Sequence, residues 1–159
     1  MLAALTRTSR LASRPLLPSA VASVLPASVG APLVQSRSMS IHKLTRMSVI
    51  DNSGARELMV IDHFVRAPAG LGDAVRAVVK SARPDGRVSR KEIVAAVVVR
   101  QRSRHTRRDG STVRFQENAA VLMKRDLSGP LGTRVTGPVA RELRAGKFMK
   151  VVMMASGVV

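Results

Sequence analysis

The sequence predicts a mainly β fold, built on a small five-stranded closed antiparallel barrel. Three observations carry that reading. From Ile41 onward, short apolar or alternating segments recur between closely spaced turn signals. One of them, Ile93–Val99, is apolar throughout, as befits a strand covered on both faces. A long cationic hairpin, turned at Asp109-Gly110, then leads to the next apolar run. Closure suits so Val-rich a chain because it removes exposed sheet edges.

In order along the chain, the first element is a leader. No Asp or Glu occurs before Asp51, and Arg7, Arg10 and Arg14 share one helical face opposite Leu2, Leu5, Ala12 and Leu16. An acid-free, Arg- and Ser-rich amphipathic start is the signature of an organelle transit peptide. Pro15, Pro18, Pro26 and Pro32 break the apolar stretch that follows, and the arginines are dispersed. Mitochondrial import is therefore favoured over a secretory signal, with a plastid address as the lesser alternative. No proline-free apolar run approaches the ~20 residues of a membrane span, so membrane insertion is not expected. Residues 1–38 are assigned to the transit peptide, with Arg37-Ser38-Met39 as the processing site, and residues 39–159 to the barrel domain.

Within that domain the first strand is expected near Leu44–Ile50 and the second near Glu57–Phe64. Asp51-Asn52-Ser53-Gly54 separates them as a tight turn, since Asn and Gly tolerate positive φ and Asp and Ser bond nearby backbone. After a loop through Pro68 and Gly72, Ala74–Lys80 alternates, with Val75, Ala77 and Val79 on one face and Arg76 and Lys80 on the other. Pro84-Asp85-Gly86 turns the chain into Ile93–Val99, and Ala119–Met123 is the fifth strand. Gly137-Pro138 is expected to open a helix running through Val139–Ala145, capped by Gly146. Phe148–Ala155 reads as either strand or helix.

Charge points to the partner. There are 27 Lys and Arg against 10 Asp and Glu, a net charge of +17. Only Arg7, Arg10, Arg14 and Arg37 fall in the leader, so basicity belongs to the folded domain, and a field of this sign recruits phosphate polymers. It is densest in the hairpin, where Arg100, Arg102, Arg104, Arg107, Arg108 and Arg114 lie within fifteen residues. If the strand continues past Arg100, Arg102 and Arg104 point the same way as Arg100 at about 6.8 Å spacing, a comb suited to successive phosphates. Like charges so close repel unless an anion compensates them. The chain has no Tyr or Trp, and Phe64, Phe115 and Phe148 each adjoin apolar stretches, so they are expected in the core and RNA is expected to be gripped by backbone and shape.

Chemistry of other kinds finds no footing. With no cysteine, thiolate metal sites and Cys nucleophiles are excluded. His42, His63 and His105 have no ligand-spaced partners, and Asp62 and His63 face opposite ways on a strand. Glu142 reads as an ion pair with Arg141 and Arg144 on a helix. No cofactor, small-molecule substrate or catalytic role is expected. The alternatives to an assembled RNA-binding component are a free nucleic-acid-binding barrel such as an RNA chaperone, which lacks the expected aromatics, and, more weakly, a basic membrane-surface protein.

One combination of residues is distinctive. Ala96-Val97-Val98-Val99, then Asp109-Gly110, Phe115, Asn118 and Val121-Leu122 resembles the signature of the large-subunit ribosomal protein L-fourteen family. Asp51-Asn52-Ser53-Gly54-Ala55-Arg56 is similar to its first turn. Gly132-Thr133-Arg134, Gly137-Pro138-Val139, Arg141-Glu142-Leu143-Arg144 and Lys147-Phe148-Met149-Lys150 are similar to its C-terminal part, so that the likeness spans Ile41–Val159. With the leader, the likeness is to the mitochondrial form. The resemblance implies a five-stranded barrel, a protruding β-ribbon and two short C-terminal helices. It implies a structural role in the large subunit, with large-subunit rRNA bound through Lys43, Arg46, Arg56, Arg100, Arg102, Arg104, Arg107, Arg108, Arg114, Arg141 and Arg144. It also implies an inter-subunit bridge to small-subunit rRNA, an L-nineteen family neighbour, and a ribosome-silencing factor meeting Thr133, Arg134, Lys147 and Lys150. Two stretches depart from the family. The Phe64–Gly72 loop is about three residues shorter than in bacterial relatives and carries only Arg66, and Arg104-His105-Thr106 replaces a glycine-containing turn.

Overall fold

The computed structural model describes residues 40–65 and 68–159. The expected leader, with Arg7, Arg10, Arg14 and the processing site, lies outside the described residues, as does Arg66. The strands are β1 (Arg46–Val49), β2 (Ala55–His63), β3 (Ala74–Ala82), β4 (Ile93–Arg100), β5 (His105–Thr106), β6 (Thr112–Val113), β7 (Ala119–Met123), β8 (Val135–Val139) and β9 (Ala155–Val158). A 3-10 turn spans Arg141–Arg144, and α1 covers Met149–Met153.

β1, β2, β3, β4 and β7 close into a barrel in that order. Four of its five seams are antiparallel, but β1 and β7 pair in parallel, with Ser48 opposite Ala119 and Val49 opposite Ala120. The expectation of a wholly antiparallel barrel is thereby corrected, for a reason of parity. Strand direction must alternate around an antiparallel ring, and an odd number of strands cannot close without one parallel pair. β1 also starts later than expected, because Leu44 takes a positive φ of 67° and points to solvent.

Burial follows the patterns that predicted it. On β3, Val75, Ala77 and Val79 are buried while Arg76 and Lys80 are exposed. β4 is buried from Val94 through Val99 because it is covered twice. One face fills the barrel, and the core continues beyond it into the C-terminal segment through Val139, Ala140, Leu143 and Val151; the Ala140 N–H donates to the Val99 carbonyl at the end of β4. The turn before β2 works as expected. Asp51 Oδ1 accepts from the Ser53 N–H and hydroxyl, and Oδ2 reaches across to the Leu122 N–H at 2.8 Å. Gly54 sits at φ +102° against the Gly86 backbone, where a Cβ has no room.

The C-terminal third differs from expectation. Where a helix opening at Gly137-Pro138 was expected, Val135–Val139 is a strand, paired in parallel with β9 through Val135–Ala155, Pro138–Gly157 and Val139–Val158. The extended path is held from outside. Arg100 donates to the carbonyls of Thr136 and Pro138, two residues apart and therefore on the same side of a strand. A helix would spend those carbonyls on N–H groups four residues on. Pro138, lacking an N–H, is tolerated in so small a two-stranded sheet. The segment left open as strand or helix is both, α1 running directly into β9. The two expected helices are thus one 3-10 turn and one five-residue helix. Of the phenylalanines, Phe148 is buried and Phe115 packs partly on the core, but Phe64 is 42% exposed and corrects the expectation that all three are internal.

Candidate nucleic-acid interface

The hairpin between β4 and β7 is built differently from a comb. β4 ends at Arg100, and the chain bends through residues 101–104 before pairing briefly as β5 and β6, with His105 opposite Val113. Arg100 is not free to meet a phosphate as one tooth of a comb would be. Its side chain is only 12% exposed, and besides the two carbonyls it pairs with Glu117 at 2.7 Å. Buried Gln101 accepts from the Phe115 N–H, and Asn118 Oδ1 accepts from the Arg102 N–H at 2.8 Å, which closes the base of the hairpin. Arg102, Arg104, Arg108 and Arg114 stay exposed; Arg114 Nε donates to the Arg102 carbonyl at 3.2 Å.

At the tip, Arg107 folds back. Its Nε meets Glu142 Oε1 at 2.6 Å, and its Nη2 donates to Glu142 Oε2 and to the Val159 carbonyl. This replaces the expected pairing of Glu142 with Arg141 and Arg144 by one spanning 35 residues of sequence. It also ties the ribbon's tip to the C-terminal segment, so the ribbon does not stand free. Burial by itself would push the Glu142 carboxyl up, but the Arg107 hydrogen bond, its own backbone N–H and the Arg107 charge outweigh burial and hold it below the usual range. Arg107 is raised in turn, chiefly by its hydrogen bond to Glu142. Asp109 is held low by the Ser111 hydroxyl and N–H, and lies 3.9 Å from Arg141.

A carboxylate lowered by folding stabilises the fold above its unfolded value, and that stabilisation disappears as pH falls through the native value. Acidification through and below the ordinary glutamate range should therefore loosen the hairpin before the barrel. Protection of the amides at residues 105–113, taken relative to their intrinsic exchange rates at each pH, should fall selectively on acidification in the wild type, and should already be low at neutral pH in Glu142→Gln.

The remaining predicted cations fall in two places. Lys43, Arg46 and Arg56 are exposed around β1 and β2. Lys43 pairs with Asp62 at 3.0 Å, which holds Asp62 low chiefly through that hydrogen bond, and Arg46 reaches Glu57 at 3.3 Å. Both are surface pairs and contribute little to stability. Arg141 and Arg144 are exposed on the 3-10 turn, which meets the hairpin tip through Glu142 with Arg107 and through Arg141, 3.9 Å from Asp109. Arg102, Arg104, Arg108, Arg114, Arg141 and Arg144 thus all remain exposed, four on the hairpin and two on the turn that meets it through Arg107 with Glu142 and Asp109 with Arg141.

The four residues expected to meet a protein partner are also exposed. Thr133 and Arg134 precede β8, and Lys147 and Lys150 flank the start of α1, with Lys150 Nζ donating to the Ser128 carbonyl at 3.1 Å. Sequence reasoning overlooked what holds that loop. Asn52 Nδ2 donates to Thr133 Oγ1 at 2.8 Å, and Asn52 Oδ1 accepts from the N–H groups of Thr133 and Arg134. Asn52 signals only a turn in the sequence, since nothing there shows the approach of residues 81 positions away. Asn52→Ala should raise amide exchange at Thr133 and Arg134 by about tenfold and leave β2–β4 unchanged.

Among the described residues, no group of three or more His, Asp or Glu side chains could hold a metal ion, and no helix is long and apolar enough to cross a membrane. The model of one protein family, described as ribosomal protein L14p/L23e, matches residues 40–159, which is the whole barrel together with the hairpin and the C-terminal segment.

Proposed function

Because the chain belongs to the ribosomal protein L14p/L23e family, whose members are structural, non-enzymatic constituents of the large ribosomal subunit that bind rRNA, we propose that it serves in the mitochondrial large subunit. Residues 1–38 are its transit peptide, and the matrix ribosome is its destination. The acid-free, arginine-bearing start supports that address.

The observation that carries the binding mode is that Arg102, Arg104, Arg108, Arg114, Arg141 and Arg144 are all exposed, on a hairpin and on the turn tied to its tip. These side chains meet rRNA phosphates, with Lys43, Arg46 and Arg56 adding contacts from the barrel wall. Arg100 and Arg107 act one step back, by holding the hairpin on its mount. The same surface lies at the subunit interface beside an L-nineteen family protein and bridges to small-subunit rRNA. Thr133, Arg134, Lys147 and Lys150 receive a ribosome-silencing factor. Mass spectrometry of purified mitochondrial large subunits tests the reading. It should find this chain with an N-terminus close to Met39; large subunits free of it overturn the assignment.

A further inference from the structure

We propose that a pocket on the outer wall of the barrel, away from the arginine-rich hairpin, receives one unstacked RNA nucleotide. The proposal rests on the RNA-binding reading above and adds a second kind of contact to it.

The pocket arises from the register of three strands. Ala95 on β4 lies between Arg76 on β3 and Met123 on β7. Its methyl group leaves a dent that the longer side chains around it do not fill. The cavity, about 360 Å³, is lined by Phe64, Arg76, Ile93, Val94, Ala95 and Arg125. That size falls within the ~300–1,000 Å³ of small-ligand sites.

Two features of the lining point to a nucleotide. Part of its wall is apolar yet faces solvent, with Phe64 42% and Ile93 54% exposed. In a chain with three aromatic residues, one is spent here, outside the core. The Arg76 guanidinium lies over the Phe64 ring, 5.5 Å from its centroid, and holds that ring at the rim. Bases stack on rings and guanidinium planes alike.

The second feature is charge. Arg76 on β3 and Arg125, just past the end of β7, come from the strands that flank β4, and among the described residues that line the dent there is no carboxylate. Asp62, opposite Arg76 in register, is engaged by Lys43. A ligand with a flat apolar face and an attached anion satisfies both halves of the site, and a nucleotide has both. A protein partner would have to bring an acidic group beside an apolar one.

The test places the photocrosslinker benzoylphenylalanine at Phe64 in the full-length chain and irradiates purified large subunits. A covalent adduct to one rRNA nucleotide is expected. Arg76→Gln with Arg125→Gln should cut its yield by about tenfold without changing the amount of chain in the particle. In parallel, particles carrying Phe64→Ser should show one rRNA base newly reactive to base-specific modification, with protection around the hairpin retained. Adducts to protein only, or an unchanged reactivity pattern, in particles that contain the chain overturn the pocket and leave the ribosomal reading standing. Particles that never contain the chain overturn both.

Discussion

Replacing Arg102, Arg104 and Arg108 together with glutamine should weaken binding to large-subunit rRNA by about 100-fold near physiological salt. It should also reduce the slope of log affinity against log salt by about two, because three fewer phosphates are neutralised. All three side chains are exposed and take no ion-pair partner among the described residues, so their loss costs the fold nothing it uses. Thermal stability should stay within about 0.5 kcal/mol of the wild type. Filter binding across a salt series, alongside a melting curve, separates the two quantities. Unchanged affinity in a folded variant contradicts the placement of these residues on rRNA.

Arg100→Ala should do the opposite. One guanidinium joins β4, the strand to which Glu117 leads, and both carbonyls that keep β8 extended. Removing it leaves those acceptors without their donor in a half-buried setting, at a cost of about 2–3 kcal/mol. For a domain of this size that lowers Tm by roughly 8–15 °C. Arg100→Lys should recover less than half, since an ammonium cannot present three N–H groups in one fixed plane. Below the melting transition, rRNA affinity should fall no more than about threefold, because Arg100 meets no phosphate itself and acts only through the hairpin's position. A variant that melts like wild type but loses most affinity would return Arg100 to the binding surface. Glycine at position 137 belongs to the same clamp: it sits at φ +78°, and a Cβ there would run into the Arg100 guanidinium.

The division of the hairpin arginines into holders and binders was not legible in the sequence, because composition weighs all guanidinium groups alike. Arg100 and Arg107 are set apart only by what approaches them, Thr136, Pro138, Glu142 and Val159, and those approaches span 35 to 52 residues. The barrel strands were legible because their signals are local. Alternation at Val75, Ala77 and Val79 and the unbroken apolar run of β4 each record burial residue by residue, and Ala119–Met123 was located to the residue. The parallel seam could have been inferred by counting strands, since five cannot alternate around a closed ring. β8 was misread because Gly137-Pro138 is an equally good helix opening. What decides against the helix is Arg100, whose position relative to β8 is tertiary. Phe64 was misread for a related reason: an aromatic beside an apolar run is ordinarily internal, but the strand ends at His63 and the next residue turns outward.

The cations of this chain therefore act at three levels. Arg100 and Arg107 are consumed by the protein itself and set the hairpin's position. Lys43 and Arg46 are partly neutralised by surface carboxylates. Arg102, Arg104, Arg108, Arg114, Arg141 and Arg144 remain exposed, where an anionic polymer can reach them. Such a surface is self-repelling in isolation, which favours assembly over a free existence.

Sedimentation of mitochondrial extracts through a high-salt sucrose gradient tests that conclusion most directly. The full-length chain, tagged and expressed at native level, should travel with the large ribosomal subunit and stay there, while the Arg102, Arg104 and Arg108 triple variant shifts toward the top. Wild-type chain recovered at the top, free of ribosomal particles, would contradict the account.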